Sequence, residues 1–170
     1  MKKLSTTLCY CAVAAGCCFA ASSADSKFAT AAAHGGQAEV EFGKLAAEKA
    51  SDPAVKAFGQ QMVDDHGKAN DKLMSVAQSE NMTLPSDMDM KQKAMYEKLK
   101  MLSGTSFDKA YVNDMLKDHE EDVKDFSREA NGGSDAKIKD FASETLPVIQ
   151  GHLDKIKAIH SKMTGSAGGM

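Results

Sequence analysis

Met62-Val63-Asp64-Asp65-His66 and Met115-Leu116-Lys117-Asp118-His119 share the form Met-aliphatic-x-Asp-His. Each sits in the middle of a long stretch whose apolar residues recur every three or four positions, the period of a helix with one buried face. Around the first, Val55, Phe58, Met62, Ala69, Leu73 and Val76 form the stripe, and His66 falls on it. Around the second, Phe107, Tyr111, Met115, Leu116, Val123 and Phe126 do the same, with His119 among them.

Working outward, the helix boundaries have readable causes. Asp52 can accept from the first free amides of a helix, and Pro53 fits its first position, so a helix runs from there to about Asn81. Before it, Phe28, Ala31, Ala38, Glu39, Phe42 and Leu45 predict a helix over 26–50. Gly35-Gly36 is its soft spot, a place for a kink or a close helix contact. Thr83-Leu84-Pro85-Ser86 ends the second helix and opens a shorter one, with Ser86 and Asp89 spaced as a capping box. Ser103-Gly104 closes it, Thr105 or Ser106 caps the next helix, and Asn131-Gly132-Gly133 stops that one. A last helix over 135–162, capped by Ser134, carries Ile138, Phe141, Thr145, Ile149, His152, Ile156 and Ile159 on its stripe. Pro147 inside it removes the bond to the Ser143 carbonyl, so a kink is expected. No strand-like alternation of useful length appears. The fold predicted is all-α: a four-helix bundle whose crossover connection carries a short extra helix.

The segment 1–24 stands apart. Lys2-Lys3, the apolar run Leu4 to Ala21 and the small residues Ser22-Ser23-Ala24 form a secretory signal peptide cleaved near Ala24. That leaves a bundle over 25–163 and a flexible Gly/Ser tail over 164–170. All four cysteines (Cys9, Cys11, Cys17, Cys18) lie in the leader, so the mature chain has no disulfide, no thiolate zinc site and no thiol nucleophile. Ala14-Ala15-Gly16-Cys17 is a weak lipobox, with Ala14 where lipoproteins carry Leu, so lipid anchoring at Cys17 is the lesser reading. Losing the leader takes the formal net charge from −3 to −5, which gives no footprint for nucleic acid. No transmembrane helix is expected in the mature chain.

Four polar groups thus fall on inward stripes: Glu39, His66, His119 and His152. One reading is a metal site of imidazole and carboxylate, suited to Zn, Fe or Cu, with Asp65 and Asp118 as outer partners of the ligands. The other is a set of core histidines hydrogen-bonded to neighbours, with Glu39 paired to one of them and Asn70 one turn after His66. Counting from the hairpin turns, Glu39 and His66 reach the same level. His119 and His152 differ by about six residues, or ~9 Å, too far for shared coordination unless a bulge at Pro147 compensates. Asp118-His119-Glu120-Glu121-Asp122 reads as a solvated face around one inward histidine. Met88, Met90, Met95 and Met101 in the short helix raise a separate, weaker idea of a copper site. His34 and His160 are expected to be exposed.

Phe28…Glu39…Leu45-Ala46, Val55-Lys56-Ala57-Phe58, Met62-Val63-x-Asp65-His66, Ala69-Asn70, Phe107-Asp108-x-x-Tyr111, Met115, His119, Phe141 and Leu146-Pro147…His152-Leu153 together resemble the bacterial family catalogued as domain of unknown function 4142. The likeness covers about 25–160. It implies a ferritin-like bundle, and the label "predicted outer membrane protein" often given to members implies an envelope location. It implies no activity. The di-iron site of ferritin-like proteins needs Glu three residues before His on two helices, and those positions are Val63, Leu116 and Ile149. A ferroxidase is therefore not predicted. The expectation is an exported, non-enzymatic bundle serving envelope maintenance or stress response with protein partners in the envelope. The alternative is a metal-binding or metal-storage bundle, with a metal-dependent enzyme as a weaker third.

Overall fold

A computed structural model describes residues 22–165, so most of the predicted leader and the last five residues lie outside the described part. Five helices follow in order: α1 Ser23–Lys49, α2 Pro53–Ser79, α3 Met90–Met101, α4 Gly104–Gly132 and α5 Ala136–Gly165. No strand occurs among the described residues. The four long helices form a ring in which α1 neighbours α2 and α4, and α5 neighbours α2 and α4. The chain runs up α1, down α2, up through α3, down α4 and up α5, so adjacent long helices are antiparallel. The short α3 lies outside the ring against α1 and α4.

Two aspartates fasten this arrangement. Asp25, at the start of α1, accepts from the backbone N–H groups of Ser134 and Asp135 in the α4–α5 turn at 3.0 and 3.2 Å. Asp108, at the start of α4, accepts from Ser51 and Asp52 in the α1–α2 turn, both at 3.0 Å. Each carboxylate thus satisfies two amides that a tight turn leaves without partners. Lys49, at the top of α1, donates to the Lys100 carbonyl at 2.5 Å, which ties the end of α3 to the same end of the bundle.

The starts and stops differ from expectation in instructive ways. α1 begins at Ser23, inside the stretch assigned to the leader, capped by a Ser22–Asp25 box that straddles the expected cleavage point. α3 opens one turn later than predicted, because Asp89 and Gln92 form the reciprocal box, both bonds at 2.8 Å, and displace Ser86 as the cap. Ser103 precedes α4 without capping it through its side chain. The α5 cap is Asp135, whose Oδ1 accepts from Lys137 and Ile138, while the Ser134 amide is committed to Asp25. α5 continues through Pro147 and on to Gly165.

The core divides into two layers. One centres on Phe42, Phe58, Met62, Phe107, Tyr111, Met115 and Ile156, the other on Leu73, Phe126, Ile138, Phe141 and Ile149. Burying each large apolar side chain contributes about 1.5–3 kcal/mol. Gly43 and Gly59 let α1 and α2 approach backbone to backbone: a Cβ on Gly43 would lie 2.6 Å from the Gly59 carbonyl oxygen, and one on Gly59 would lie 2.7 Å from that of Gly43. This close hairpin fixes the height at which α2 presents His66 to α1.

Candidate metal centre

Three histidines meet inside the bundle. His66 comes from α2, His119 from α4 and His152 from α5, and all three are buried. Ring centroids are 5.9 Å apart for His66–His119, 5.2 Å for His66–His152 and 5.5 Å for His119–His152. One nitrogen from each lies within 4.8 Å of the other two. Phe58 packs against His119 and His152 with centroids 6.0 and 6.3 Å away, closing one side with an apolar wall. The register count that set His152 ~9 Å from His119 assumed that each helix leaves its turn at the same height. With α4 running to Gly132 and α5 opening at Ala136, the two histidines differ by about three residues, or ~4.5 Å, and His152 joins the other two.

Each ring has one nitrogen engaged and one without a hydrogen-bond partner. His66 Nδ1 lies 2.7 Å from Glu39 Oε2. His119 Nδ1 lies 2.9 Å from the Met115 carbonyl oxygen, which can only accept, so Nδ1 carries the proton and Nε2 keeps its lone pair. His152 Nε2 lies 3.0 Å from Asp65 Oδ2. The nitrogens left over, His66 Nε2, His119 Nε2 and His152 Nδ1, are buried and unbonded. Buried polar atoms are seldom left this way, and here three occur in one place. Outer acceptors that fix each ring and its tautomer are the arrangement in which histidines hold a metal.

Electrostatics keeps these rings available. Burial pushes His66 down to about 4 and His119 down to about 3, so both are neutral near pH 7. Burial also lowers His152, against the pull of Asp65. Burial disfavours the Asp65 carboxylate, but the hydrogen bonds from His152 and Gln61 outweigh it and hold Asp65 below its usual range. An ionised Asp65 accepts from His152 Nε2–H and leaves Nδ1 buried with a free lone pair.

Glu39 stands beside the triad. Its Oε2 engages His66, and its Oε1 is 3.5 Å from His119 Nε2 with no hydrogen-bond donor. It also belongs to a second group, in which one oxygen each of Glu39, Asp118 and Asp122 lies within 4.8 Å of the others. Burial and the Asp118 charge raise Glu39 well above the ordinary range. Burial, with Asp114 and Glu121, pushes Asp118 up to about 6, and burial together with Glu39 and Asp118 raises Asp122 strongly.

Of the residues singled out in the sequence, His66, His119 and His152 converge, Glu39 joins them at the side, and Asp65 backs His152. Asp118 touches none of the three rings through a hydrogen bond and sits instead with Glu39 and Asp122. Asn70 makes no bond to His66; its amide occupies the space left by the missing Cβ of Gly36. The charged run is only half solvated: Glu120 and Glu121 are exposed, whereas Asp118 and Asp122 turn inward toward α1. Their four-residue spacing, continuing from Asp114, was the available signal. Tyr111 was read as apolar core, yet its hydroxyl is a further buried atom without a partner, and burial pushes it well above the usual tyrosine range. The α3 methionines do not converge. Met90 and Met101 are 82% and 87% exposed, while Met88 and Met95 pack on the core.

The three histidines and Glu39 could hold a metal ion. The site residues fit that use in chemistry, because neutral imidazoles with fixed tautomers are ligands for Zn, Cu, Ni or Fe.

Comparison with known proteins agrees on the fold. A DUF305 fragment from Deinococcus radiodurans superposes with a TM-score of 0.73 at 8% identity, covering 84% of this chain and 98% of that one. A DUF305 protein from Streptomyces coelicolor superposes with a TM-score of 0.69 at 16% identity, covering 84% and 94%. At these identities the likeness concerns the fold alone. Among curated proteins none is significantly similar to the chain. The sequence of residues 14–159 matches the family described as domain of unknown function (DUF4142), and the chain belongs to that family.

Proposed function

We propose that this chain is an exported metal-binding bundle that holds one transition-metal ion on His66 Nε2, His119 Nε2 and His152 Nδ1. The observation that carries the reading is the trio of buried ring nitrogens without hydrogen-bond partners, on three histidines close enough to share one ion. Their opposite nitrogens are already committed to Glu39, Met115 and Asp65. Three imidazoles suit Zn(II) or Cu(II), and the Irving–Williams order favours Cu(II) at equal availability. Support for export comes from the Lys2-Lys3 and Leu4–Ala21 pattern and from the Streptomyces relative, itself named as a candidate secreted protein.

Capture or storage fits the space better than catalysis. The void that touches Glu39 and His66 has a volume of about 20 Å³. That is room for about one water and not for an organic substrate. A role in envelope maintenance or stress response then acts through metal handling. The test is metal analysis of protein purified from the periplasm, with His66→Ala and His119→Ala beside it. Near-stoichiometric metal, lost in both variants, is the expected result. No metal above background, together with no rise in melting temperature on adding Zn(II) or Cu(II), overturns the reading.

A further inference from the structure

Helix α4 carries Asp114, Asp118 and Asp122 four residues apart, hence along one face. At Asp118 and Asp122 that face meets Glu39 of α1, and one oxygen from each of these three carboxylates lies within 4.8 Å of the other two. Glu39 is 2% exposed, and its Oε1 has no hydrogen-bond donor. Among the described residues no lysine or arginine forms an ion pair with Glu39, Asp118 or Asp122. Among the described residues Glu39 has the rings of His66 and His119 at ion-pair distance, and both rings are neutral near pH 7. Lys91 acts on Asp118 at longer range without pairing. Three converging carboxyl groups with no lysine or arginine paired to them have no counter-charge at hand whenever they ionise.

The cluster is also reachable. Asp118 lines a surface groove of about 390 Å³ of mixed charge, shared with Asp89, Asp114 and Glu121 and with Lys91, Lys98 and Lys117. On the inner side, Asp122 and Glu39 border the small void beside His66. Asp118 is the member of the cluster that faces the groove, and Asp122 and Glu39 lie behind it. Oxygen-only ligands that keep one side open to water are what hard divalent ions accept, whereas the imidazole triad prefers softer ones.

We propose that Glu39, Asp118 and Asp122 form a second cation site, distinct from the histidine triad, for a hard divalent ion of the Mn(II) or Mg(II) type. Glu39 is the shared element, since its Oε2 supports His66. The site does not depend on the histidines being occupied.

The experiment uses the full exported chain, stripped with chelator, and two probes. Zn(II) binding is followed by calorimetry, and Mn(II) binding by the loss of the free-ion paramagnetic resonance signal, with and without Zn(II) preloaded. The expected result is about one Mn(II) per chain in both states. In Asp118→Asn/Asp122→Asn, Mn(II) affinity should fall at least about tenfold while Zn(II) stoichiometry is unchanged. In His152→Gln the reverse is expected, with Zn(II) weakened and Mn(II) retained. Circular dichroism checks each fold, and Asp118→Asn alone, at the groove, serves if the double variant does not fold. Wild-type protein that binds no Mn(II), or Mn(II) affinity unmoved by the aspartate changes, overturns the proposal and leaves the carboxylates to share protons. Mn(II) binding without any Zn(II) binding upholds it and removes the histidine reading instead.

Discussion

Glu39 Oε2 lies 2.7 Å from His66 Nδ1, and the two side chains expose only 2% and 7% of their surfaces. The pair fixes which His66 nitrogen remains free. Glu39→Gln keeps an acceptor but removes the carboxyl that can ionise when a metal binds, so Zn(II) affinity in a chelator competition should fall about 10–100-fold with the fold intact. Glu39→Ala leaves Nδ1 buried and alone, and urea unfolding of the metal-free protein should show a loss of about 1–3 kcal/mol.

Gly43 and Gly59 are tested by adding one carbon to each. Alanine at either would press its Cβ into the partner helix's carbonyl at 2.6 or 2.7 Å, against backbone that cannot swing aside. Overpacking of about 1–3 kcal/mol should outweigh the helix-propensity gain of alanine, and the melting temperature should fall. Gly67→Ala and Gly151→Ala meet nothing within 4 Å and are the controls; each should hold or raise it.

The acidity dependence of Asp118 has a definite sign. Its carboxyl is pushed up to about 6 from an ordinary 3.8. The folded chain therefore holds a proton there that the unfolded chain has lost. Stability contributed by this group is full below about pH 4 and is lost as pH rises through about 6. Asp118→Asn should make the metal-free protein more stable than wild type at pH 8, by about 1–2 kcal/mol after solvent screening, and no more stable at pH 4. Denaturant midpoints at the two pH values decide this.

The histidines run the opposite way. His66 and His119 have folded values of about 4 and 3 against 6.5 for the free side chain. Below about pH 6.5 the unfolded chain takes up protons that the folded core refuses, so this part of the stability is lost as pH falls toward 4 and below. For the same reason the rings stay neutral to lower pH than exposed histidines. Bound Zn(II) should accordingly survive at pH 5.5, where surface-bound Zn(II) is released. Metal retention after gel filtration at pH 7.5, 5.5 and 4 measures it.

Asp108 carries the last prediction. It is 3% exposed and accepts two backbone N–H bonds at the α1–α2 turn. Asp108→Ala removes both and should cost about 2–3 kcal/mol in denaturant unfolding. Asp108→Asn, which keeps one acceptor, should cost less.

The long helices were legible because each has a 3.6-residue stripe and a chemical boundary, as at Asp52-Pro53 and Asn131-Gly132-Gly133. The inward placement of His66, His119 and His152 followed from those stripes. The meeting of His152 with the other two did not, because the count depends on where α4 ends and α5 begins, and an error of a few residues there doubles the apparent offset. Asp122 was hidden for a different reason. In a run of four acids around one histidine, every acid looks solvated until the neighbouring helix is in place. α1 supplies that neighbour through Glu39, an interaction between residues 83 positions apart.

The reciprocal reach of Asp25 and Asp108 implies a two-fold correspondence between the halves of the molecule. Each opens a long helix and clasps the turn of the other hairpin. Fourteen residues after each comes a carboxylate, Glu39 in one half and Asp122 in the other, and these two face each other across the middle. The histidines break the pattern. Eleven residues after Asp25, where His119 has its counterpart, stands Gly36, its space taken by Asn70. His66 lies fourteen residues beyond Asp52, but His152 lies seventeen beyond Asp135, and Ile149 occupies the matching place. The acids thus follow the symmetry of the scaffold and the imidazoles depart from it. Three rings come together only because one hairpin carries its histidine nearly a full turn further along than the other.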